Sequence, residues 1–210
     1  MGIHRIVAVL ALLASLLAGP YAAFCGESPD RIAPVLGDDG LYTQPWFLIS
    51  FLDLKDDLAE SAAKGRRLAI VWEQRGCSYC KKMHDVNFAL PKINRFVREN
   101  FQVLQLNLFG AREVTDFDGQ VLPEKALARK WGVIGTPTIM FFPVRAEDAI
   151  GKSGRAAEVA RLPGYLPPDE FLAMFQYVRE QRTADQSFNQ YLAQRMAELQ
   201  RRGRMTPAAQ

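Results

Sequence analysis

Gly76-Cys77-Ser78-Tyr79-Cys80 is the stretch around which the rest of this chain is organised. It follows the apolar run Leu68-Ala69-Ile70-Val71-Trp72 and opens a segment that predicts a helix over residues 80–90. A short continuous apolar run is typical of a buried strand. The order of a strand, a tight turn and a Cys-x-x-Cys motif at a helix N-terminus predicts a redox-active pair of thiols.

The helix N-terminus matters because it favours the thiolate, which is the reactive form of cysteine. Unpaired N–H groups and the positive end of the helix dipole stabilise an anion there. Lowering a thiol pKa from about 8.5 to about 7 needs roughly 2 kcal/mol, the upper end of what a helix terminus supplies. Arg75, Lys81 and Lys82 add positive charge nearby. We therefore expect Cys77 to be the exposed nucleophile and Cys80 the more buried, resolving thiol.

Three other interpretations of the motif stay open. A structural zinc site needs four ligands, and only Cys25, His4 and His84 remain to complete one. Soft thiolates also suit Cu(I), so a copper or metal carrier that uses Cys77, Cys80 and His84 is an alternative function. A binding module with inactive cysteines is the third possibility. For the redox interpretation we expect no metal and no cofactor.

The composition is that of a globular protein. The chain has 210 residues, of which 49% are apolar and 23% are charged, which suits one domain with a proper core. A net charge of +3 is too small to argue for nucleic-acid binding. We expect a monomer.

Residues 1–25 predict a secretory signal peptide, with an apolar run at residues 6–17 followed by Ala18-Gly19-Pro20. The run is too short to span a bilayer comfortably. Lipidation of Cys25 and an uncleaved membrane anchor are the alternatives to cleavage. Disulfides persist in exported, periplasmic proteins. If Cys25 leaves with the signal peptide or is lipidated, the two remaining thiols lie in a single Cys-x-x-Cys, which indicates a working redox pair rather than a structural framework.

The remaining chain alternates predicted strands and helices. Strands are expected at residues 68–72, 101–109, 139–142 and 158–162, and helices at residues 53–63, 80–90, 123–131, 168–178 and 187–201. Residues 110–122, with the turn signal Asp118-Gly119, predict an inserted ribbon. The order predicts a central mixed β-sheet flanked by helices. We divide the chain into the signal peptide, an irregular N-terminal arm at 26–50, a domain at 51–182, and a C-terminal helix with a polar tail at 183–210.

Thr136-Pro137 precedes the third predicted strand. An X-Pro bond can be cis, and a proline cannot donate to a strand ladder, which leaves neighbouring backbone groups free for another partner. A plain strand start is the alternative interpretation.

Together these pieces resemble the thioredoxin fold over about residues 51–181, an α/β class with a mixed sheet flanked by helices. More closely, several motifs resemble the SoxW-type periplasmic thioredoxins of sulfur-oxidising bacteria: Gln44-Pro45-Trp46-Phe47, Glu73, Gly76-Cys77-Ser78-Tyr79-Cys80 with Met83-His84, Gly119, and Thr136-Pro137-Thr138. The cysteine helix is also similar to that of the DsbC-type disulfide isomerases, although no separate dimerisation domain precedes it.

The resemblance implies an exported protein-disulfide reductase in a sulfur-oxidation system, with disulfide isomerase as an alternative. It implies a cis Pro137 that faces the cysteine pair, with Thr136 beside it binding the substrate backbone. Ser78 and Tyr79, between the cysteines, are expected to contact the substrate. The implied partners are substrate proteins with disulfides and a membrane thiol transporter that donates electrons.

The chain departs from common thioredoxins, in which a tryptophan precedes the first cysteine and a buried aspartate lies six residues before it. Gly76 and Val71 occupy these positions here. Glu73 is therefore our candidate for deprotonating Cys80, and an exposed charge at a strand end is the alternative. His84 falls on the helical face of the cysteines and either tunes or relays protons or is a packed, hydrogen-bonded residue, which we favour.

Overall fold

A four-stranded mixed sheet forms the centre of the described part of the molecule. The computed structural model describes residues 31–205, so the predicted signal peptide, Cys25 and the last residues of the predicted tail lie outside it. The strands are β1 (Val35–Leu36), β2 (Tyr42–Thr43), β3 (Arg67–Glu73), β4 (Phe101–Asn107), β5 (Glu113–Thr115), β6 (Val121–Pro123), β7 (Thr138–Phe141) and β8 (Ala160–Pro163). The central sheet has the order β4-β3-β7-β8, with β4 parallel to β3 and the other pairs antiparallel.

Helices cover both faces of this sheet. They are α1 (Leu54–Ala63), α2 (Ser78–Lys82), α3 (Pro91–Asn100), α4 (Glu124–Lys130), α5 (Gly154–Ala157), α6 (Pro168–Arg179) and α7 (Phe188–Met205). One face of the sheet packs mainly with α3 and α6, and the other packs with α1 and α4. Because β3 lies between two strands and two helical layers, all of its residues are buried. The predicted fold class is confirmed, including the β5–β6 ribbon and the C-terminal helix.

The helix that carries the cysteines changes its winding part of the way along. The helix predicted for residues 80–90 begins at Ser78 and becomes π-helical over Met83–Phe88. A π-helical turn is rare and often marks a functional site, and no periodicity in so short a segment reveals it. The prediction for residues 123–131 is wrong at its start, because Pro123 pairs with Glu113 in the ribbon and caps α4 instead.

The N-terminal arm is not irregular, contrary to the prediction. Its strands β1 and β2 form an antiparallel hairpin, too short for a sequence pattern to show. Arg75, next to the cysteine motif, donates two hydrogen bonds of 3.1 and 3.0 Å to the carbonyl oxygen of Asp39 in this hairpin. A Cβ on Gly40 would lie 2.6 Å from Nε of Arg75, so the close approach needs glycine. The hairpin is therefore held against the cysteine segment.

None of the helices within the described residues has the length and apolar character that a bilayer crossing requires.

Candidate active site

Cys77 and Cys80 form a disulfide where the chain leaves β3 and enters α2, with an S–S distance of 2.06 Å. The turn between strand and helix uses Gly76 at φ 75°, a conformation that favours glycine. Cys77 is the N-cap residue of α2, and its Sγ accepts the backbone N–H of Cys80 at 3.0 Å. Cys80 is only 2% exposed, whereas Cys77 is half-buried. An incoming sulfur therefore has access to Cys77, and a thiolate formed there has an N–H donor in place.

Glu73 is the last residue of β3 and is only 1% exposed. It lines a small cavity of about 170 Å³ together with both cysteines, and Gly40 and Tyr42 of the arm form part of the same wall. The alternative interpretation of Glu73 as an exposed charge is wrong, because the arm and the π-helical segment cover this end of the strand. The structure thus brings together three of the predicted site residues.

The Glu73 carboxylate is bonded on one side only. Its Oε1 lies 2.8 Å from Nε2 of His84, while its Oε2 is buried without a hydrogen-bond partner among the described atoms. His84 is completely buried, and its Nδ1 lies 3.4 Å from Nε2 of Gln44. His84 is therefore the packed, hydrogen-bonded histidine that we favoured, with both ring nitrogens engaged.

This geometry does not support the alternative function of a copper or metal carrier. Since His84 faces Glu73 and Gln44 with its two nitrogens, neither nitrogen is left to act as a third ligand beside the cysteines. In the part of the chain that the structure describes, no group of three or more His, Cys, Asp or Glu side chains is arranged to hold a metal ion.

The Thr136–Pro137 bond is cis, as the resemblance implies. The carbonyl oxygen of Pro137 accepts the N–H of Gly164 at 2.7 Å, and Thr138 pairs with Pro163. The Thr136–Pro137 turn therefore lies beside the segment that follows β8. No hydrogen bond among the described residues joins this turn directly to the cysteines.

Tyr165, one residue after Gly164, connects that segment to the cysteine helix. Its ring stacks on the ring of Tyr79 with centroids 6.0 Å apart, and Nζ of Lys82 lies 4.7 Å from the Tyr165 centroid. Tyr79 is 59% exposed and Ser78 is also exposed, so both predicted substrate contacts are open to a partner. The predicted substrate residues thus share one end of the sheet with the disulfide.

The positive charges predicted near the thiols are all engaged. Arg75 binds the arm, and Lys82 lies over an aromatic ring. Lys81 forms an ion pair with Asp85, which raises the pKa of the Lys81 ammonium. Each of these three side chains therefore has a contact within the domain, and Lys81 is paired with an acidic residue at the surface.

Gln44 and Tyr165 are site residues whose roles the sequence did not reveal. Gln44 stood in the motif Gln44-Pro45-Trp46-Phe47 that carries the resemblance, but no role was assigned to it, and the structure buries it with Phe47. Tyr165 offered no signal, because its contact with Tyr79 depends on how the segment after β8 meets α2 in space.

Comparison with known proteins agrees with this architecture. A family model described as a thioredoxin-like domain matches residues 54–179. Among solved structures, a thioredoxin-fold protein from Helicobacter pylori is 20% identical, with 64% of this chain and 81% of that chain covered and a TM-score of 0.48. A thioredoxin from Thermus thermophilus is 28% identical, with 60% and 83% covered and a TM-score of 0.45.

The oxidised C-terminal domain of DsbD from Neisseria meningitidis is 17% identical, with 59% of this chain and 87% of that domain covered and a TM-score of 0.39. No curated protein matches this sequence.

Proposed function

From the premise that this chain belongs to the thioredoxin-like domain family, we propose that it is a thiol–disulfide oxidoreductase that reduces protein disulfides outside the cytoplasm. The observation that carries the proposal is the Cys77–Cys80 disulfide at the start of α2. Its half-buried first sulfur and buried second sulfur suit attack by one cysteine and resolution by the other.

In the reduced protein, the Cys77 thiolate attacks one sulfur of a substrate disulfide. The substrate S–S bond breaks, its far sulfur leaves as a thiolate, and a mixed disulfide joins Cys77 to the substrate. Cys80 then loses its proton and attacks Cys77, which closes the internal disulfide and releases the second substrate thiolate. Glu73 is the proposed acceptor of the Cys80 proton. The substrate gains two electrons, and the cysteine pair loses them.

The proposed setting is the periplasm of a sulfur-oxidising bacterium, which rests on the resemblance to SoxW-type thioredoxins and on the signal-like residues 1–25. A membrane thiol transporter would return the cysteines to the reduced state. Substrate proteins would dock an extended segment beside Thr136, as an added strand, and contact the exposed Ser78 and Tyr79. We propose that the protein acts as a monomer.

The test is a pair of single-cysteine variants assayed with insulin as the disulfide substrate and dithiothreitol as the electron source. We expect the parent protein to accelerate insulin reduction and Cys77→Ser to abolish the acceleration. Cys80→Ser keeps the attacking thiol, so it should accumulate mixed disulfides that are visible on non-reducing gels.

A parent protein that leaves the insulin rate unchanged would overturn the reductase proposal. Trapping by Cys77→Ser instead of Cys80→Ser would reverse the two roles. Stoichiometric zinc or copper in the purified reduced protein would favour the metal-carrier alternative instead.

A further inference from the structure

We propose that His84 and Gln44 are positioning residues for the resolving step, which orient Glu73 so that one of its carboxylate oxygens is free to take the proton of Cys80. The inference rests on the proposed reductase function and adds to it a role for the N-terminal arm, which supplies Gln44.

The first argument is the unequal bonding of the Glu73 oxygens. Oε1 is held by His84 at 2.8 Å, while Oε2 is buried with no partner among the described atoms. Buried polar atoms are nearly always hydrogen-bonded, so an exception calls for an explanation. In the disulfide form described here, neither sulfur carries a proton to donate. Reduction creates an S–H donor on the buried Cys80, which lines the same cavity as Glu73. We infer that this thiol is the partner that the unpaired oxygen takes up when the disulfide is reduced.

The second argument is the protonation pattern of His84. A carboxylate oxygen only accepts, so Nε2 of His84 must donate to Glu73 Oε1. In a neutral ring Nδ1 is then the acceptor, and the Gln44 amide donates to it from 3.4 Å. The same Gln44 nitrogen also donates to the backbone carbonyl oxygen of His84 at 3.4 Å, which supports this orientation of the amide. Gln44 thus helps to keep the Nε2 proton directed at Glu73.

The third argument is that the ring of His84 has little freedom to turn. It is completely buried in the π-helical segment Met83–Phe88. The Phe47 and Phe88 rings lie against it, with centroids 5.6 and 5.5 Å away. Phe47 and Gln44 both belong to the arm, so the docked arm fixes the ring from one side. A fixed histidine in turn holds Oε1 and leaves Oε2 as the available oxygen.

In the proposed step the S–H bond of Cys80 breaks and its proton moves to Oε2 of Glu73. The Cys80 sulfur then bonds to the Cys77 sulfur, and the bond between Cys77 and the substrate sulfur breaks. The substrate sulfur leaves with the electron pair. Glu73 is the proton acceptor, and His84 and Gln44 act through it.

The experiment separates resolution from attack. Each reduced variant is mixed with a fluorescent peptide disulfide, and acid quenching at short times measures how fast the mixed disulfide forms and how fast it decays. We expect Glu73→Gln to slow the decay by about 100-fold, the lower end of the effect of a general base. His84→Phe, which fills the space without a donor, should slow it about 10-fold, and Gln44→Met about 3-fold, since each removes one or two hydrogen bonds. In His84→Phe and Gln44→Met, formation of the mixed disulfide by Cys77 should stay within about 2-fold of the parent rate, because neither substitution removes the Glu73 carboxylate or changes Cys77.

Two further variants distinguish positioning from general loosening. His84→Gln keeps an N–H donor near the position of Nε2, so it should recover most of the decay rate. Ser61→Ala removes a buried hydroxyl that bonds with Gln102 and with the backbone of Asp57, remote from the disulfide, and should destabilise the fold without changing the decay rate.

A decay rate in folded His84→Phe and Gln44→Met equal to that of the parent overturns the inference. If His84→Phe does not fold, a decay rate in Gln44→Met equal to that of the parent overturns the inference by itself. The inference is also overturned if Ser61→Ala slows the decay of the mixed disulfide as much as Gln44→Met does. A parent protein that forms no mixed disulfide overturns the reductase proposal itself. Failure of the inference and failure of the reductase proposal therefore give different results.

Discussion

Asp116 and Glu73 are both buried carboxylates, yet their surroundings differ in a way that separates folding from chemistry. Asp116 is completely buried, and both of its oxygens are fully bonded. Oδ2 accepts the indole N–H of Trp131 at 3.0 Å and pairs with Nζ of Lys130 at 2.7 Å. Oδ1 accepts the backbone N–H groups of Phe117 at 2.7 Å and Gly154 at 3.0 Å.

Among the described residues the Glu73 carboxylate has one hydrogen-bond partner, His84, and its Oε2 is buried without a partner in the disulfide form. A carboxylate that joins four donors ties several segments together and has no capacity left for reaction. One with an unpaired oxygen contributes less to folding but keeps an acceptor in the cavity that the cysteines also line. If Glu73 has the proposed role, the number of unmet hydrogen bonds, rather than burial alone, distinguishes a proton-accepting carboxylate from a structural one.

The largest effect is expected from removing the fully bonded carboxylate. Asp116→Ala leaves the Trp131 indole and two backbone N–H groups buried without an acceptor, so the free energy of unfolding should fall by about 3–5 kcal/mol. Urea denaturation followed by fluorescence measures it. The insulin reduction rate per folded molecule should stay within about 2-fold of the parent. A loss of activity in the folded fraction would break the contrast with Glu73.

A smaller effect is expected at Asp57, a third buried carboxylate whose side-chain hydrogen bond comes from Ser50 at 2.7 Å. Burial raises the pKa of Asp57 from 3.8 to about 6. The folded state then binds more protons than the unfolded state between pH 4 and pH 6, so stability from this group is present at low pH and is lost as pH rises. At about 1.4 kcal/mol per pKa unit the loss is about 3 kcal/mol as an upper bound.

The test compares the free energy of unfolding of the parent and of Asp57→Asn from pH 4 to pH 7. As pH rises, the free energy of unfolding of the variant should increase relative to that of the parent by up to about 3 kcal/mol, because an amide carries no charge to bury. Parallel curves for the two proteins would contradict the prediction, and would mean that burial without strong partners does not penalise a carboxylate here.

The smallest change in stability is expected at Glu73 itself. Glu73→Gln keeps an acceptor for the His84 N–H and removes a buried charge that lacks a full set of donors, so the free energy of unfolding should change by less than about 1.5 kcal/mol in either direction. Urea denaturation of the oxidised protein measures it. A destabilisation as large as that of Asp116→Ala would show that Glu73 is mainly a structural residue and would remove the distinction between the two sites.

The parts of the fold that the sequence predicted well are those with local signals. The apolar run of β3, the Cys-x-x-Cys motif, the Asp118-Gly119 turn and the Thr136-Pro137 pair each sit within a few residues of the structure they specify. Glu73 was identified as a candidate because it lies four positions before Cys77 in the sequence. Its burial was not predictable, because residues from separate segments cover it.

The interactions that were missed join residues far apart in the chain. Gln44 and His84 are separated by 40 positions, and their contact exists only once the arm has docked. Tyr79 and Tyr165 meet where the segment after β8 stacks on α2. The two-residue strands of the hairpin and the π-helical winding after Lys82 are too short for any period to be counted. Tertiary packing decides the Gln44–His84 and Tyr79–Tyr165 contacts, and no local pattern encodes them.

The position of the hairpin has a consequence for where the working unit of this protein begins. The thioredoxin-like match starts at residue 54, whereas Gly40 and Tyr42, which wall the redox cavity, and Gln44, which holds His84, all precede it. Excision of the chain at the family boundary would leave the cysteines on their helix but would open the cavity of Glu73 to water. The smallest piece that retains a complete redox centre therefore begins upstream of Asp39, whose carbonyl oxygen accepts two hydrogen bonds from Arg75.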